Sequence, residues 1–286
     1  MTGAPIPKGA DSILQVELTS TDDNYVTLHQ ESMKHFIRNK GENLTKGEIA
    51  LTAGSHLTPS RVGLCATMGH SSIPVVKRLK VAIISTGDEL KQPGEVLERG
   101  QIYESNSFGL YGLVNWLGHE ATRLHCVGDT LDELRETLNK ASSEHDLILT
   151  SGGVSMGDWD LVRKIMEEEG DIHFWRVKLR PGSPPLFGIW NNTPIFGLPG
   201  NPVSSHVVFR VLVAPWIRYN TQADGPVENR AVAKLATKVK PTKDCLTLRR
   251  VSIEVTDSGL EAHQSCLLYT SPSPRDQRGS RMPSSA

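Results

Sequence analysis

The chain has 286 residues, with 31 basic against 32 acidic side chains. That is long enough to bury a real core and suggests two domains, while the balanced charge gives no reason to expect nucleic acid or a membrane surface as partner, so any anion site must be local. Four scattered cysteines, Cys65, Cys126, Cys245 and Cys266, include no CxxC pair, which argues against a disulfide framework or zinc cluster and fits a reducing cytoplasm.

No run approaches the roughly 18 apolar residues of a membrane span, and the opening M-T-G-A-P-I-P lacks an apolar signal core. Residues 1–77 are rich in Gly, Pro, Thr and short β-prone runs. Residues 12–17 alternate, residues 25–28 can pair with them, and residues 47–51 precede a turn at Ala53-Gly54, so a small β-rich module is expected. Thr2-Gly3-Ala4-Pro5 has no strand before it to belong to, which reads as a domain cut at its start.

From residue 79 strands and helices alternate. A strand over 81–85 ends at Thr86-Gly87-Asp88-Glu89, and a helix that Ser105 or Asn106 can cap stacks Phe108, Leu110, Leu113, Val114 and Leu117 on one side before Gly118. A second strand, 120–127, closes at Gly128-Asp129, and an amphipathic helix follows with Leu131, Leu134, Leu138 and Ala141 on one face. The apolar run 147–150 makes a third strand that cannot continue through Ser151-Gly152-Gly153. Beyond it Asp158 or Asp160 can cap a helix carrying Leu161, Val162, Ile165 and Met166. Strands over 173–179, 186–190 and 194–198 and a last helix over about 203–219 complete the segment. This alternation predicts an α/β domain with a doubly wound, mostly parallel sheet between two helix layers. Further on, strands are expected over 232–239, 245–251 and 253–255, the first half of a small β domain.

In a doubly wound sheet every strand-to-helix loop falls on the carboxyl edge, where ligands bind. The Gly-Gly turn before a helix offers backbone N–H groups to an anion. Glu89, Asp129 and Asp160, with Asp88 and Asp158 beside them, sit in these loops. Read functionally, they hold Mg2+ between protein and phosphate oxygens; read structurally, Asp129 and Asp160 cap helices and Glu89 is a solvated acid. Arg176, Lys178 and Arg180 alternate along one strand face and can hold an oxyanion, or merely face solvent. In Gly197-Leu198-Pro199-Gly200-Asn201-Pro202-Val203-Ser204 two prolines fix φ, and the turn presents Ser204 at a helix start. The histidines show no metal spacing, and no Ser-His-Asp arrangement can be argued.

In that order, Thr2-Gly3-Ala4-Pro5, Ser85-Thr86-Gly87-Asp88-Glu89-Leu90, Ser151-Gly152-Gly153-Val154-Ser155-Met156-Gly157, Arg180-Pro181-Gly182 and the proline-locked turn resemble the molybdopterin molybdenumtransferase family. These molybdenum insertases include the E domain of gephyrin. The resemblance implies a molybdopterin-binding α/β domain over 78–222, flanked by a partial N-terminal β-rich module (1–77) and a C-terminal β domain cut short (223–265). It implies a cytoplasmic enzyme that inserts molybdate into adenylylated molybdopterin, hydrolysing the adenylate with Mg2+ and releasing AMP. It also implies a homodimer whose sites combine two subunits, supplied by a molybdopterin adenylyltransferase upstream.

By matching position the family's functional acids fall on Glu89, Asp129 and Asp160, with Mg2+ on Asp129 and Asp160. Substrate contacts fall on Thr2, Asp88, Ser151, Gly152, Gly153, Ser155, Arg176, Arg180, Pro199, Gly200, Asn201, Pro202 and Ser204. The chain departs from the family pattern in having arginine where lysine is common at 176 and 180, and Ser183 where the family has lysine. Residues 266–286 resemble translated sequencing-library adapter and are excluded from fold reasoning. Two rival readings are a molybdopterin adenylyltransferase, against which the upstream Thr-Gly-Ala-Pro stretch and the proline-locked turn argue, and a gephyrin-like scaffold.

Overall fold

A computed structural model describes residues 3–124, 128, 130–154, 160–226 and 228–264. It divides into two compact units, residues 1–53 with 59–69 and residues 54–58 with 70–286. In the first unit, strands Thr19–Asp22 and Tyr25–Leu28 pair antiparallel across a tight turn, and Ile13 bridges Met33. The strand expected over 12–17 is displaced toward the C-terminus. Val16–Leu18 instead forms a 3-10 turn, closed where the Thr19 hydroxyl donates to the Val16 carbonyl (2.8 Å). Residues 47–51 run as a loop, not a strand. A helix, Pro59–Thr67, stands where only β structure was expected; its signal was the proline, whose fixed φ and missing N–H suit a first helical position.

The second unit is built on a six-stranded sheet. In chain order its elements are β1 (Lys80–Ser85), α1 (Asn106–Trp116), β2 (Glu120–Arg123), α2 (Leu131–Glu144), β3 (Leu147–Ser151), α3 (Leu161–Glu168), β4 (Asp171–Trp175), β5 (Leu186–Trp190) and β6 (Thr193–Leu198). The sheet order is β2-β1-β3-β6-β5-β4. The first four strands are mutually parallel, and β5 runs antiparallel to both its neighbours. A last helix comprises α4 (Pro202–Val208), a π-helical turn (Phe209–Val213) and α5 (Ala214–Asn220). Pro215 supplies no N–H and its ring crowds the carbonyl four residues back, a known cause of a widened helical turn just before it.

Strand periodicity splits the buried residues into two cores. Val81, Ile83, Leu147 and Leu149 face one side, against Leu110, Leu113 and Val114 of α1 and Val208, Phe209, Val213 and Ile217 of the last helix. Ala82, Ile84, Ile148 and Ile195 face the other, against Leu134, Leu138 and Ala141 of α2 and Leu161, Val162, Ile165 and Met166 of α3. Since successive side chains point to opposite faces, a strand buried on both sides must be apolar throughout. Phe108, expected inside with the α1 stripe, is exposed, and the Arg123 guanidinium lies over its ring at 3.2 Å.

His119 joins the starts of β1 and β2: its Nδ1 accepts the Leu79 N–H at 3.2 Å, which requires that nitrogen to be unprotonated. Burial, and secondarily the Arg78 charge, hold its pKa below the usual histidine value. A depressed folded pKa means that this stability is present above the unfolded value, about 6.5, and is lost as pH falls through the folded pKa. The melting temperature of wild type should therefore fall more than that of His119→Gln between about pH 7.5 and pH 5.5. Parallel curves for the two proteins in thermal melts would contradict this role.

Beyond the sheet, Val251–Thr256 and Gly259–Gln264 form an antiparallel hairpin, with Lys234–Leu235 on its other edge. The strands expected over 232–239 and 245–251 shrink to Lys234–Leu235 and Leu246–Thr247. Between them lies Pro241, which cannot donate to a ladder.

Candidate active site at the carboxyl edge of the sheet

Three parallel strands end in line: Ser85 of β1 lies opposite Ser151 of β3, and Ser151 opposite Leu198 of β6. The loops leaving these ends are bonded to one another. Thr86 N donates to the Ser151 carbonyl (3.1 Å), and Gly152 N donates to the Leu198 carbonyl (3.0 Å). One N–H of the Gly-Gly turn is thus used within the protein, contrary to the expectation that the turn presents bare donors.

Gly152 and Gly153 both adopt positive φ, +97° and +64°. A Cβ on Gly152 would come 2.7 Å from the Thr86 carbonyl oxygen, and one on Gly153 3.0 Å from Val162 Cγ2, so conformation and space both demand glycine. Gly200 packs over the same turn, 3.7 Å from Gly152 Cα measured from where its own Cβ would lie. Thr86 is 7% exposed, and its hydroxyl, against Gly152 and Gly153, is buried without a hydrogen-bond partner among the described residues.

The proline-locked turn is a helix start. Asn201 is the N-cap of α4, its Oδ1 accepting Ser204 N (3.2 Å) and the Ser204 hydroxyl (3.4 Å), and Pro202 opens the helix. Pro199 and Ser204 are buried and Gly200 is exposed at the tip. Ser204 therefore uses its hydroxyl in its own cap.

Among the acids, Asp88 and Glu89 are exposed just after β1, and Glu89 folds back so that its carboxylate lies over Gly87. Asp88 Oδ1 approaches Gly128, the residue before Asp129. Asp160 stands at the N-cap position of α3, yet its side chain makes no capping hydrogen bond. Arg163, one turn on, is held charged mainly by Glu167 (2.8 Å), with Asp160 adding to the effect. Thr2, Asp129, Ser155 and Asp158, like the tail over 266–286, lie outside the described residues.

The basic run does not form one strand face. β4 ends at Trp175, Arg176 takes a positive φ of +70°, and strand pairing resumes only at Leu179–Arg180, alongside Leu246–Thr247. Backbone bonds from Arg176 N to Pro185 O (2.9 Å) and from Val177 N to Ser183 O (3.0 Å) bend the chain there. Arg176 nonetheless reaches the edge, by way of Trp175. Arg176 and Arg163 lie against the Trp175 ring, whose Nε1 donates to the carbonyl of Val154 beside the Gly-Gly turn (3.1 Å). The Arg180-Pro181-Gly182 loop packs on α4, where a Cβ on Gly182 would be 2.7 Å from Val208 Cγ2 and 3.3 Å from the Ser204 carbonyl oxygen.

Two residues hold the edge together: Asn106, read from the sequence only as a candidate helix cap, and Glu104, not singled out from the sequence. Asn106, the first residue of α1, donates from Nδ2 to Ser151 Oγ and to the Gly200 carbonyl, each at 2.7 Å. Glu104, 2% exposed, accepts from Ser85 Oγ (3.0 Å), Ser107 N (2.7 Å) and Ser107 Oγ (2.5 Å), with Arg123 at 3.5 Å. The available signal was a polar cluster, Glu104-Ser105-Asn106-Ser107, at a helix start. Its local capping value hid its long-range partners.

An α/β domain with these gathered loops is of the molybdopterin-binding class: residues 82–219 match the model described as a probable molybdopterin binding domain. Residues 1–69 match the MoeA N-terminal region, domains I and II. The chain belongs to the MoeA family, the molybdopterin molybdenumtransferases. It is 39% identical over 219 residues to the molybdopterin molybdenumtransferase of Haemophilus influenzae, covering 76% of this chain and 54% of that protein. It is 36% identical over 262 residues to molybdopterin molybdenumtransferase 2 of Mycobacterium tuberculosis, covering 89% and 64%. The crystal structure of a molybdopterin biosynthesis MoeA protein from Pyrococcus horikosii superposes with a TM-score of 0.65 at 27% identity, covering 90% of this chain and 63% of that one. The chain therefore spans between about half and two thirds of the length of the relatives it matches.

Proposed function

We propose that this chain carries the site at which molybdate is inserted into adenylylated molybdopterin, with hydrolysis of the adenylate and release of AMP. The names of its relatives support the reading. The observation that carries it is the convergence of the Gly152-Gly153 turn, the Gly200 turn and the unpartnered Thr86 hydroxyl at three aligned strand ends. A turn of glycine backbone beside hydroxyls, packed too closely for any Cβ, suits a phosphate group. Arg176 and Arg180 are the cations available to the molybdate oxyanion.

Hydrolysis consumes one water and breaks the bond between the two phosphates, so negative charge on the departing AMP must be offset. Mg2+ supplies that offset when bound. The donor chemistry fits: Asp88 and Asp160 offer carboxylate oxygens at this edge, with Asp129 assigned from the sequence. Mg2+ ordinarily takes one or two protein carboxylates plus substrate phosphates, so few acids would be needed here. The protein's own part is to hold the phosphates against the Gly-Gly turn and to keep the pterin fixed while water reaches the phosphorus.

A homodimer, a cytoplasmic location and delivery of substrate by an adenylyltransferase belong to the same proposal. Among the described residues no helix is long and apolar enough to cross a membrane. Supplied with adenylylated molybdopterin, molybdate and Mg2+ but no ATP, the protein should release AMP in a molybdate-dependent way, measured by chromatography. A requirement for ATP would transfer the chain to the adenylyltransferase reading, and AMP release indifferent to molybdate would remove the insertase one.

A further inference from the structure

We propose that Asn106 is the positioning residue of the phosphate cradle: it turns the Ser151 hydroxyl into an outward-facing donor and locks the Gly200 turn to the Gly-Gly turn. The inference rests on the reading of this edge as the adenylate site, and it assigns the task of binding phosphate to hydroxyl groups more than to backbone N–H groups.

The argument begins with the orientation of the amide. Gly200 O can only accept, so the group facing it must be the Asn106 NH2, and the same nitrogen then reaches Ser151 Oγ, both at 2.7 Å. Asn106 Oδ1 is left buried with no partner among the described residues. That unmade bond is unfavourable, and turning the amide over would bring Oδ1 against a carbonyl oxygen, which is worse.

The consequence falls on Ser151, 2% exposed at the end of β3. A hydroxyl has one proton to give and lone pairs to receive with. Because its oxygen already accepts from Asn106, its proton is directed away from α1. Thr86 adds a second, independent hydroxyl: it is buried and unpartnered, 3.0 and 3.1 Å from where a Cβ on Gly152 or Gly153 would lie. Gly152 N–H, the donor that a Gly-Gly turn would ordinarily offer, is engaged by Leu198 O. Two hydroxyls, that of Ser151 with its oxygen engaged by Asn106 and that of Thr86 without a partner among the described residues, stand at a turn whose first N–H is already engaged. Together they define a site that recognises phosphate oxygens and depends on Asn106 to aim one of them.

The test measures AMP binding by calorimetry, with thermal melts alongside, for wild type, Asn106→Ala, Ser151→Ala and the double variant. Each single change should weaken AMP about tenfold, the scale of one hydrogen bond to a charged group. Because part of the Asn106 effect runs through Ser151, the double variant should be weakened by clearly less than the product of the two single losses, which for independent contributions would be roughly a hundredfold. Multiplying losses, or AMP affinity unchanged in Asn106→Ala, would overturn the proposal. Should Asn106→Ala fail to fold, Ser151→Ala still decides, since unchanged affinity there removes the hydroxyl donor. Absence of AMP binding by wild type would instead overturn the adenylate reading of the edge, and this inference with it.

Discussion

Asp160→Asn should slow AMP release at least about a hundredfold, the scale of removing a charge contact made in the transition state, while leaving the melting temperature nearly unchanged. Asparagine caps helices about as well as aspartate. Asp160 occupies the N-cap position of α3, where asparagine is of the same shape and keeps a side-chain oxygen to accept with. What the substitution removes is one negative charge beside the Gly-Gly turn, at the edge where the phosphates are proposed to sit. Adenylylated pterin should still bind, because the turn and its hydroxyls are untouched. The measurement pairs single-turnover AMP release with equilibrium binding. Normal release with normal binding would return Asp160 to a purely structural role and take the metal assignment with it.

Glu104→Ala is expected to destabilise the α/β unit by about 3 kcal/mol or more, because it strands a partly buried cation. Glu104 is 2% exposed and satisfies two hydroxyls and one backbone N–H, with the Arg123 guanidinium at 3.5 Å. Without it, Ser85, the N-terminus of α1 and Arg123 lose an acceptor together. For a domain of this size the melting temperature should fall by roughly 6–12 °C. Glu104→Gln, which keeps an acceptor of the same shape, should lose less than the alanine variant. A melting temperature within about 2 °C of wild type for Glu104→Ala would mean that water replaces the carboxylate at little cost.

The α/β core was legible because its strands are short apolar runs closed by glycine. Residues 81–85 and 147–150, and the heptad-like spacing of Leu134, Leu138 and Ala141, are patterns that burial imposes on sequence directly. The edge loops were legible for the same reason, since a strand that stops at Ser151-Gly152-Gly153 must expose its end. The run from 176 to 180 was misread: alternating charge is period-two evidence only if the backbone stays extended, and Arg176 enters the left-handed region, which nothing in its side chain announces. Residues 12–17 failed similarly, because a 3-10 turn closed by the Thr19 hydroxyl competes with a strand that has few buried contacts to hold it. Glu104, and the bridging role of Asn106 beyond helix capping, escaped because their partners, Ser85, Ser151 and Gly200, are distant in sequence.

The order β2-β1-β3-β6 has one more consequence. The chain leaving β1 rises to α1 on one face of the sheet, and the chain leaving β3 descends to α3 on the opposite face. Neighbouring strands whose exits part in this way leave a crevice between their carboxyl ends that no side chain has to carve. Thr86 leaves one of these strand ends and Ser151-Gly152-Gly153 the other, bonded together at the floor between them. The opening is therefore a property of connectivity: point substitutions along its rim alter what it grips, while closing it would take a rewiring of the path from β2 to β3.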